Sequence, residues 1–74
     1  MTSFGDWIRL QRQALDLTQQ ALAERVGCSL AAIRKIESDE RRPSRQIAAR
    51  LADVLDVPAS QHDMFLEAAR ACGL

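Results

Sequence analysis

The spacing of apolar side chains predicts a chain built from helices. In five segments, apolar residues recur at intervals of three and four, which places them along one side of an α-helix. The alternation typical of a β-strand does not persist for more than a few residues anywhere. The predicted helices cover about residues 5–15, 18–26, 29–37, 44–55 and 60–72. The pattern therefore indicates an all-α fold in a single domain that spans residues 1–74.

A serine or threonine that can cap a helix stands at the start of each pattern. Its hydroxyl can accept a hydrogen bond from a first-turn backbone N–H, which has no partner within the helix. The residues expected in this role are Ser3, Thr18, Ser29, Ser44 and Ser60. Gly27 is placed to end the second helix in the left-handed conformation. Because only Gly27 and Cys28 separate this helix from the next cap, the layout is that of a helix-turn-helix.

The short chain predicts a small core. A domain of this size buries only about 60% of its unfolded surface. The inward positions are expected to include Phe4, Ile8, Leu15, Leu22, Val26, Ile33, Ile36, Ile47, Leu51 and Leu55. Trp7 is expected to pack with Phe4 and against Phe65, and the alternative is an anchor for a partner protein. The last helix carries an apolar stripe that is either core or a seam between two copies: Met64, Phe65, Ala68, Ala69 and Cys72.

Basic and acidic residues cancel over the chain but are unevenly distributed. Ten lysines and arginines balance ten aspartates and glutamates, so the formal net charge is zero. Residues 34–50 contain six basic and three acidic side chains, whereas residues 51–74 contain one basic and four acidic ones. Docking on phosphates depends on the local field, so the middle of the chain is the expected nucleic-acid side.

The residues present do not support several classes of protein. No apolar run approaches the roughly 20 residues that cross a bilayer, and the start lacks the features of a signal peptide. We therefore expect a cytoplasmic protein with no membrane partner. Cys28 and Cys72 are expected to be reduced thiols, and His62 has no second ligand at metal-binding spacing. Without a recognisable catalytic arrangement, no enzyme is predicted, and no cofactor, metal or small-molecule ligand either.

One group of segments resembles a known family. Leu17-Thr18-Gln19, Leu22-Ala23 and Gly27-Cys28-Ser29, followed by Ile33 and Glu37, resemble the helix-turn-helix of Xre/Cro and phage-repressor proteins. The resemblance extends over essentially the whole chain. It implies a five-helix, lambda-repressor-like DNA-binding domain of a bacterial or phage-type transcription regulator, with the helix-turn-helix at the second and third helices.

Three further segments are similar to the N-terminal DNA-binding domains of large multidomain bacterial regulators. They are residues 4–9, 41–43 and 65–70. In those regulators a helix-turn-helix precedes an ATPase or repeat module. On this interpretation, the chain is either a domain excised from such a protein or a protein that stops here.

The resemblance also implies a role for individual residues. The third helix would lie in the major groove, where the side chains expected to approach base edges are Leu30, Ala31, Ala32 and Lys35. Lys35 can donate to guanine N7 and O6, and the alternative is a solvated or phosphate-bound lysine. Arg12 in the first helix is expected to form a structural, partly buried ion pair with Glu37 at the end of the third.

A set of polar and basic residues is expected to contact DNA phosphates. The positions of Gln19, Arg41 and Arg42 contact the backbone in the resembled family. We assign Arg45 to phosphates as well. Arg34 lies one step round the helix from Lys35 and is expected to contact a phosphate or, alternatively, to form a surface ion pair.

The start of the third helix departs from the pattern of a strong DNA reader. Leu30, Ala31 and Ala32 have no hydrogen-bonding side-chain atoms, so they can contact a thymine methyl group or a protein surface. The charges of Asp39 and Glu40 are expected to repel phosphates, although Asp39 suits a left-handed position.

Two functions are therefore weighed. The first is binding of double-stranded DNA by a transcription-regulator domain, as a monomer or as a homodimer formed through the fifth helix or through regions outside this chain. The alternative is a helix-turn-helix fold used as a protein-interaction or regulatory module, with weak or no DNA binding. The zero net charge, the acidic last third and the apolar start of the third helix favour this alternative.

Overall fold

The computed structural model describes residues 3–71, which form five α-helices and one 3₁₀ turn. The α-helices are α1 (Phe4–Ala14), α2 (Gln19–Val26), α3 (Leu30–Glu37), α4 (Arg45–Val54) and α5 (His62–Ala71), and the 3₁₀ turn (Ala59–Gln61) precedes α5. The expected all-α fold is confirmed for these residues. Within residues 3–71, no helix is both long and apolar enough to cross a bilayer.

The first four helices begin at the caps that the sequence predicts. In each, the hydroxyl oxygen accepts a hydrogen bond, 3.0 to 3.2 Å long, from the backbone N–H three residues later. The four capping residues are Ser3, Thr18, Ser29 and Ser44. Because each cap uses a contact only three residues away, the local sequence is enough to predict it.

The start of the last helix is different, and the prediction for Ser60 is wrong. Ser60 lies inside the 3₁₀ turn, and α5 begins only at His62. Pro58 has a φ of −57°, and its carbonyl oxygen accepts a 2.8 Å hydrogen bond from the N–H of Gln61. This bond closes a tight turn around Ser60. The serine is therefore already within a turn where the sequence predicts the cap of a helix.

The first four helices end in the same way. The chain takes a positive φ at Asp16, Gly27, Asp39 and Asp56, with values of 58°, 85°, 62° and 63°. In each case the next residue donates its N–H to the carbonyl five residues back, at 2.9 to 3.0 Å, which is the Schellman arrangement. Three aspartates therefore occupy a position at which glycine is the usual residue, because aspartate tolerates it better than most.

The core lies between helices that pack in pairs, α2 against α3 and α4, α1 against α3, and α4 against α5. Its fully buried large side chains are Ile8, Leu22, Val26, Ile33, Ile36, Leu51 and Leu55. Phe65 of α5 closes one end, with its ring 5.3 Å from that of Phe4 and 5.6 Å from that of Trp7. The predicted packing of Trp7 against Phe65 is therefore present, although Trp7 remains 37% exposed, and Phe4 packs on Phe65 in addition.

Three predicted core residues lie at the surface instead. Leu15 is 38% exposed because it caps the end of α1, beyond the last turn that packs inward. Met64 is 74% exposed and Ala68 is also exposed. Each precedes a buried residue, Phe65 or Ala69, by one position, and one step along a helix turns a side chain by about 100°. Cys72 lies outside the described residues.

Candidate nucleic-acid interface

Helix α3 has an inner side that packs in the core and an outer side that is open to solvent. Ile33, Ile36 and Glu37 are buried. With 3.6 residues per turn, Ala31 and Lys35 lie on the opposite side of the helix, and both are exposed. A helix that is anchored along one side in this way can present its other side to a groove without disturbing the core.

The remaining residues of α3 lie on the two flanks of this outer side. Leu30 and Arg34 share one flank, where Leu30 is half-buried and Arg34 is exposed, and the half-buried Ala32 lies on the other. The N–H of Ala32 donates to the hydroxyl of Ser29 at 3.0 Å. The four candidate base contacts are therefore not equivalent, because Ala31 and Lys35 are central and Leu30 and Ala32 are lateral.

A buried ion pair joins the first helix to the end of α3. The Nε and Nη2 atoms of Arg12 donate to the two carboxylate oxygens of Glu37 at 2.7 and 3.2 Å. Only 11% of the Arg12 side chain and 4% of the Glu37 side chain are exposed. Nη1 of Arg12 donates to the carbonyl oxygen of Leu17 at 2.9 Å, so the guanidinium also fixes the α1–α2 connection.

Gln19 extends this network to the start of α2. Its Nε2 donates to Oε1 of Glu37 at 3.1 Å, which leaves the amide oxygen as the other polar atom of the side chain. The amide nitrogen has a second N–H that this bond does not use. A phosphate contact at Gln19 could therefore come from Nε2 or from the backbone N–H, which lies in the first turn of α2 and has no partner within the helix.

The basic residues assigned to phosphates lie in two places. Arg34 and Arg41 are exposed, on and just after α3. The exposed Arg42 donates from Nη1 to the carbonyl oxygen of Arg70, 2.7 Å away at the end of α5. Arg45 lines an open groove of about 580 Å³ between the start of α4 and α5, whose other lining residues are Pro43, Ala48, Asp63, Leu66, Glu67, Ala69 and Arg70.

Arg41 influences the turn between α2 and α3. Burial raises the pKa of the half-buried Cys28 thiol, and the positive charge of Arg41 lowers it by a smaller amount. Cys28 follows Gly27, the residue at which α2 ends. The field of Arg41 therefore reaches the helix-turn-helix turn, on the side of the molecule where α3 begins.

The carboxylate of Asp39 has a structural role that the sequence does not indicate. Its Oδ1 accepts a 2.9 Å hydrogen bond from the N–H of Gly5 in the first turn of α1. The positive end of the α1 dipole offsets part of this charge, so Asp39 repels phosphates less than the sequence suggests. Gly5 is needed because a Cβ there would lie 2.5 and 2.6 Å from the carbonyl oxygens of Glu37 and Ile36.

Two other side chains complete helix ends at long range. Nη1 of Arg50 donates to the carbonyl oxygen of Val26 at the end of α2, at 3.2 Å. Nε2 of Gln11 donates to the carbonyl oxygen of Leu55, also at 3.2 Å, at the end of α4. A cation at a helix C-terminus is favourable for the macrodipole. Sequence reasoning misses both contacts because donor and acceptor are more than 20 residues apart.

His62, the histidine considered as a metal ligand, makes a structural contact. The Nε2 atom of His62 lies 2.8 Å from the carbonyl oxygen of Val57, and this contact holds the start of α5 against the preceding turn. Among the residues that the structure describes, no three potential metal ligands lie together. Every buried side-chain nitrogen and oxygen in this part of the chain has a hydrogen-bond partner.

These features define a small helical domain of the lambda-repressor type, in which a buried ion pair holds the second helix of a helix-turn-helix with its outer side exposed. A family profile described as helix-turn-helix matches residues 8–61. The chain belongs to this family. The sequence-based identification as an Xre/Cro and phage-repressor type of domain is thereby confirmed.

A comparison with curated proteins supports the same assignment. The chain is similar to the cryptic phage CTXphi transcriptional repressor RstR of Vibrio cholerae serotype O1 (strain ATCC 39315 / El Tor Inaba N16961), with 36% identity over 47 residues. The match covers 64% of this chain and 42% of the relative, so it spans about two-fifths of the relative's length. No solved structure matches the chain significantly.

Proposed function

We propose that this chain is a DNA-binding domain of a transcription regulator and that it places α3 in the major groove of double-stranded DNA. The observation that carries the proposal is the division of α3 into a buried inner side and an exposed outer side with Lys35 near its centre. Membership in the helix-turn-helix family supports it, because such a domain docks its second helix in the groove. The related RstR is a transcriptional repressor.

Lys35 is the polar residue that can read a base. Its ammonium group lies on the outer side of α3, where it can donate to N7 and O6 of guanine. Ala31 lies one turn before it and is small, so it allows the helix backbone to come close to the floor of the groove. Leu30 and Ala32 would meet neighbouring base pairs at the two flanks.

The phosphates would be contacted by charges around α3. Arg34 and Arg41 are exposed and free to turn towards the backbone, and the first-turn N–H of Gln19 adds a neutral donor. Arg42 would have to exchange its exposed hydrogen bond with the Arg70 carbonyl for one to phosphate, which costs little in water. Arg45 lines the groove beside Asp63 and Glu67 of the acidic α5.

The uneven distribution of charge would orient the domain. The basic middle of the chain would face the phosphates, and the acidic last third would face away from them. We propose no catalytic step, because the described residues offer only binding contacts of this kind. Two copies of the domain would read two half-sites, and the exposed side of α5 with Met64 and Ala68 is one surface through which they could pair.

A salt titration of duplex binding tests this proposal. With about four cationic phosphate contacts, the affinity should fall with a log–log slope near −3.6, at about −0.9 per contact. Arg41→Ala should flatten the slope by about one and weaken all duplexes alike. Arg9→Ala is the matched control, because it removes the same charge from α1, where Arg9 pairs with Asp6. A flat salt response with no duplex preferred over another would rule out the proposed function.

A second candidate function rests on a different surface. Trp7 and Leu10 of α1 are 37% and 53% exposed, and the exposed Ala14 lies along the same side of the helix. An apolar stripe of this kind suits a protein partner. NMR shifts on adding DNA separate the two functions. Shifts at residues 29–35 and 41–45 support DNA binding, whereas a response that misses both segments supports the protein-interaction module.

A further inference from the structure

We propose that the start of α3 reads the C5-methyl groups of pyrimidines. The preferred duplex would carry thymine or 5-methylcytosine beside the guanine that Lys35 contacts. This inference rests on the proposed function and adds to it the class of base that the domain selects.

The argument starts from the chemistry available at the N-terminal end of α3. In a helix-turn-helix, the N-terminal residues of the second helix contact the base edges. Here those residues are Leu30, Ala31 and Ala32, and the hydroxyl oxygen of Ser29 before them already accepts the N–H of Ala32. The C5-methyl group is the apolar feature that a base pair displays in the major groove. Apolar side chains at this point therefore have one kind of base atom that they can contact favourably.

The geometry assigns different parts to Leu30 and Ala31. Leu30 is half-buried and lies on one flank of the outer side. Ala31 is exposed and lies near the centre of that side, in line with Lys35 one turn later. The small Ala31 allows a close approach, and Leu30 then supplies most of the apolar surface that can cover a methyl group.

The same chemistry predicts which bases are treated alike. Thymine and 5-methylcytosine share the C5-methyl group, but thymine presents an acceptor at O4 where cytosine presents a donor at N4. The Leu30 and Ala31 side chains have no polar atoms with which to distinguish O4 from N4. At the position that they cover, a T·A pair and a 5-methylcytosine·G pair should therefore bind almost equally, whereas unmethylated C·G should bind worse.

Base analogues in a selected duplex test the inference directly. A preferred duplex is first selected from a random library with the 74-residue chain, and its dissociation constant is measured by fluorescence anisotropy. Replacing the thymine beside the contacted guanine by deoxyuridine removes one methyl group. Binding should weaken about fourfold, because that factor corresponds to the transfer free energy of one buried methyl(ene) group. C·G at that position should be equally weak, and 5-methylcytosine·G should restore binding to within about twofold. Replacing the guanine by 7-deazaguanine removes the N7 acceptor, so it tests the contact of Lys35 separately.

Two protein variants assign the effect to its residue. Leu30→Ala should reduce the thymine-to-uracil affinity ratio towards one. Leu10→Ala is the matched control, because it makes the same change at an exposed leucine of α1 and should leave the ratio unchanged. Thermal unfolding of each variant checks that it is folded at the temperature of the binding measurement.

The outcomes separate this inference from the function beneath it. A selected, salt-sensitive duplex that binds equally well with uracil, or that 5-methylcytosine fails to rescue, overturns methyl reading and leaves DNA binding in place. A ratio that survives Leu30→Ala overturns the assignment to Leu30. Failure to bind any duplex overturns both the inference and the proposed function.

Discussion

Removing the carboxylate of Glu37 should strongly destabilise the domain. The substitution Glu37→Met leaves the guanidinium of Arg12 buried with two donors unpaired, since Nε and Nη2 both bond to that carboxylate. Breaking one side of a buried ion pair typically costs about 3–5 kcal/mol. A 74-residue domain has a total stability of roughly 4–11 kcal/mol, at about 0.05–0.15 kcal/mol per residue. The single change therefore removes a large part of the free energy of unfolding.

The double variant Arg12→Met/Glu37→Met distinguishes a buried charge from lost packing. Replacing both members of a buried pair by apolar residues of similar size is often neutral or stabilising. Leu17 and Gln19 lose one partner each, so we expect the double variant to lie within about 2 kcal/mol of the parent. Urea denaturation followed by circular dichroism gives all the free energies required. A double variant as unstable as the sum of its single variants would refute the reasoning, because no unpaired charge would then explain the single losses.

The remaining predictions concern positions outside the ion pair. Gly5→Ala should destabilise the domain by at least about 2 kcal/mol in chemical denaturation, because its Cβ would lie 2.5 Å from a backbone oxygen. Asp56→Gly should stabilise it by about 0.5–1 kcal/mol by relieving the left-handed backbone, and no rise in Tm would contradict this. Asp39→Gly should stabilise the domain less than Asp56→Gly does, or destabilise it, because it also removes the hydrogen bond to Gly5. Since burial raises the pKa of Cys28, its alkylation should be slower in the folded than in the urea-unfolded chain. The free energy of unfolding should fall as the pH rises from the ordinary thiol pKa through the raised one, because the folded chain disfavours the thiolate. Arg41→Ala should raise that pKa further, and an unchanged rate profile would argue against their proximity.

The elements predicted correctly from the sequence are those governed by local interactions. Thr18 and Ser29 bond to an N–H three residues away, and the left-handed ending at Gly27 uses a conformation that glycine adopts readily. Apolar spacing then fixes which side of each helix faces inward. Ser60 shows the limit of this reasoning, because a turn set by the neighbouring Pro58 takes the place of the cap that the local motif favours.

The contacts that the sequence could not predict join residues far apart in the chain. Arg50 bonds to the end of α2, and Asp39 bonds to the start of α1 across 34 positions. No period or motif marks such a pair, because any exposed arginine or aspartate could make the contact. The pairing of Arg12 with Glu37 came instead from the family resemblance, which supplies the long-range register that spacing alone lacks.

The outer side of α3 also limits how much specificity one domain can provide. A good contact from Lys35 to guanine discriminates by about 1–3 kcal/mol, and each methyl group covered by Leu30 or Ala31 adds about 0.8 kcal/mol. With one or two methyl groups covered, one half-site would therefore yield roughly 2–5 kcal/mol, which reaches only the lower end of the 4–10 kcal/mol that separates specific from non-specific binding. The phosphate contacts proposed for Arg34 and Arg41 would strengthen binding to every sequence and could not close this gap. A regulator built on this α3 would need a second half-site, so we expect selection experiments to return paired sites about 34 Å apart whenever two copies are held together.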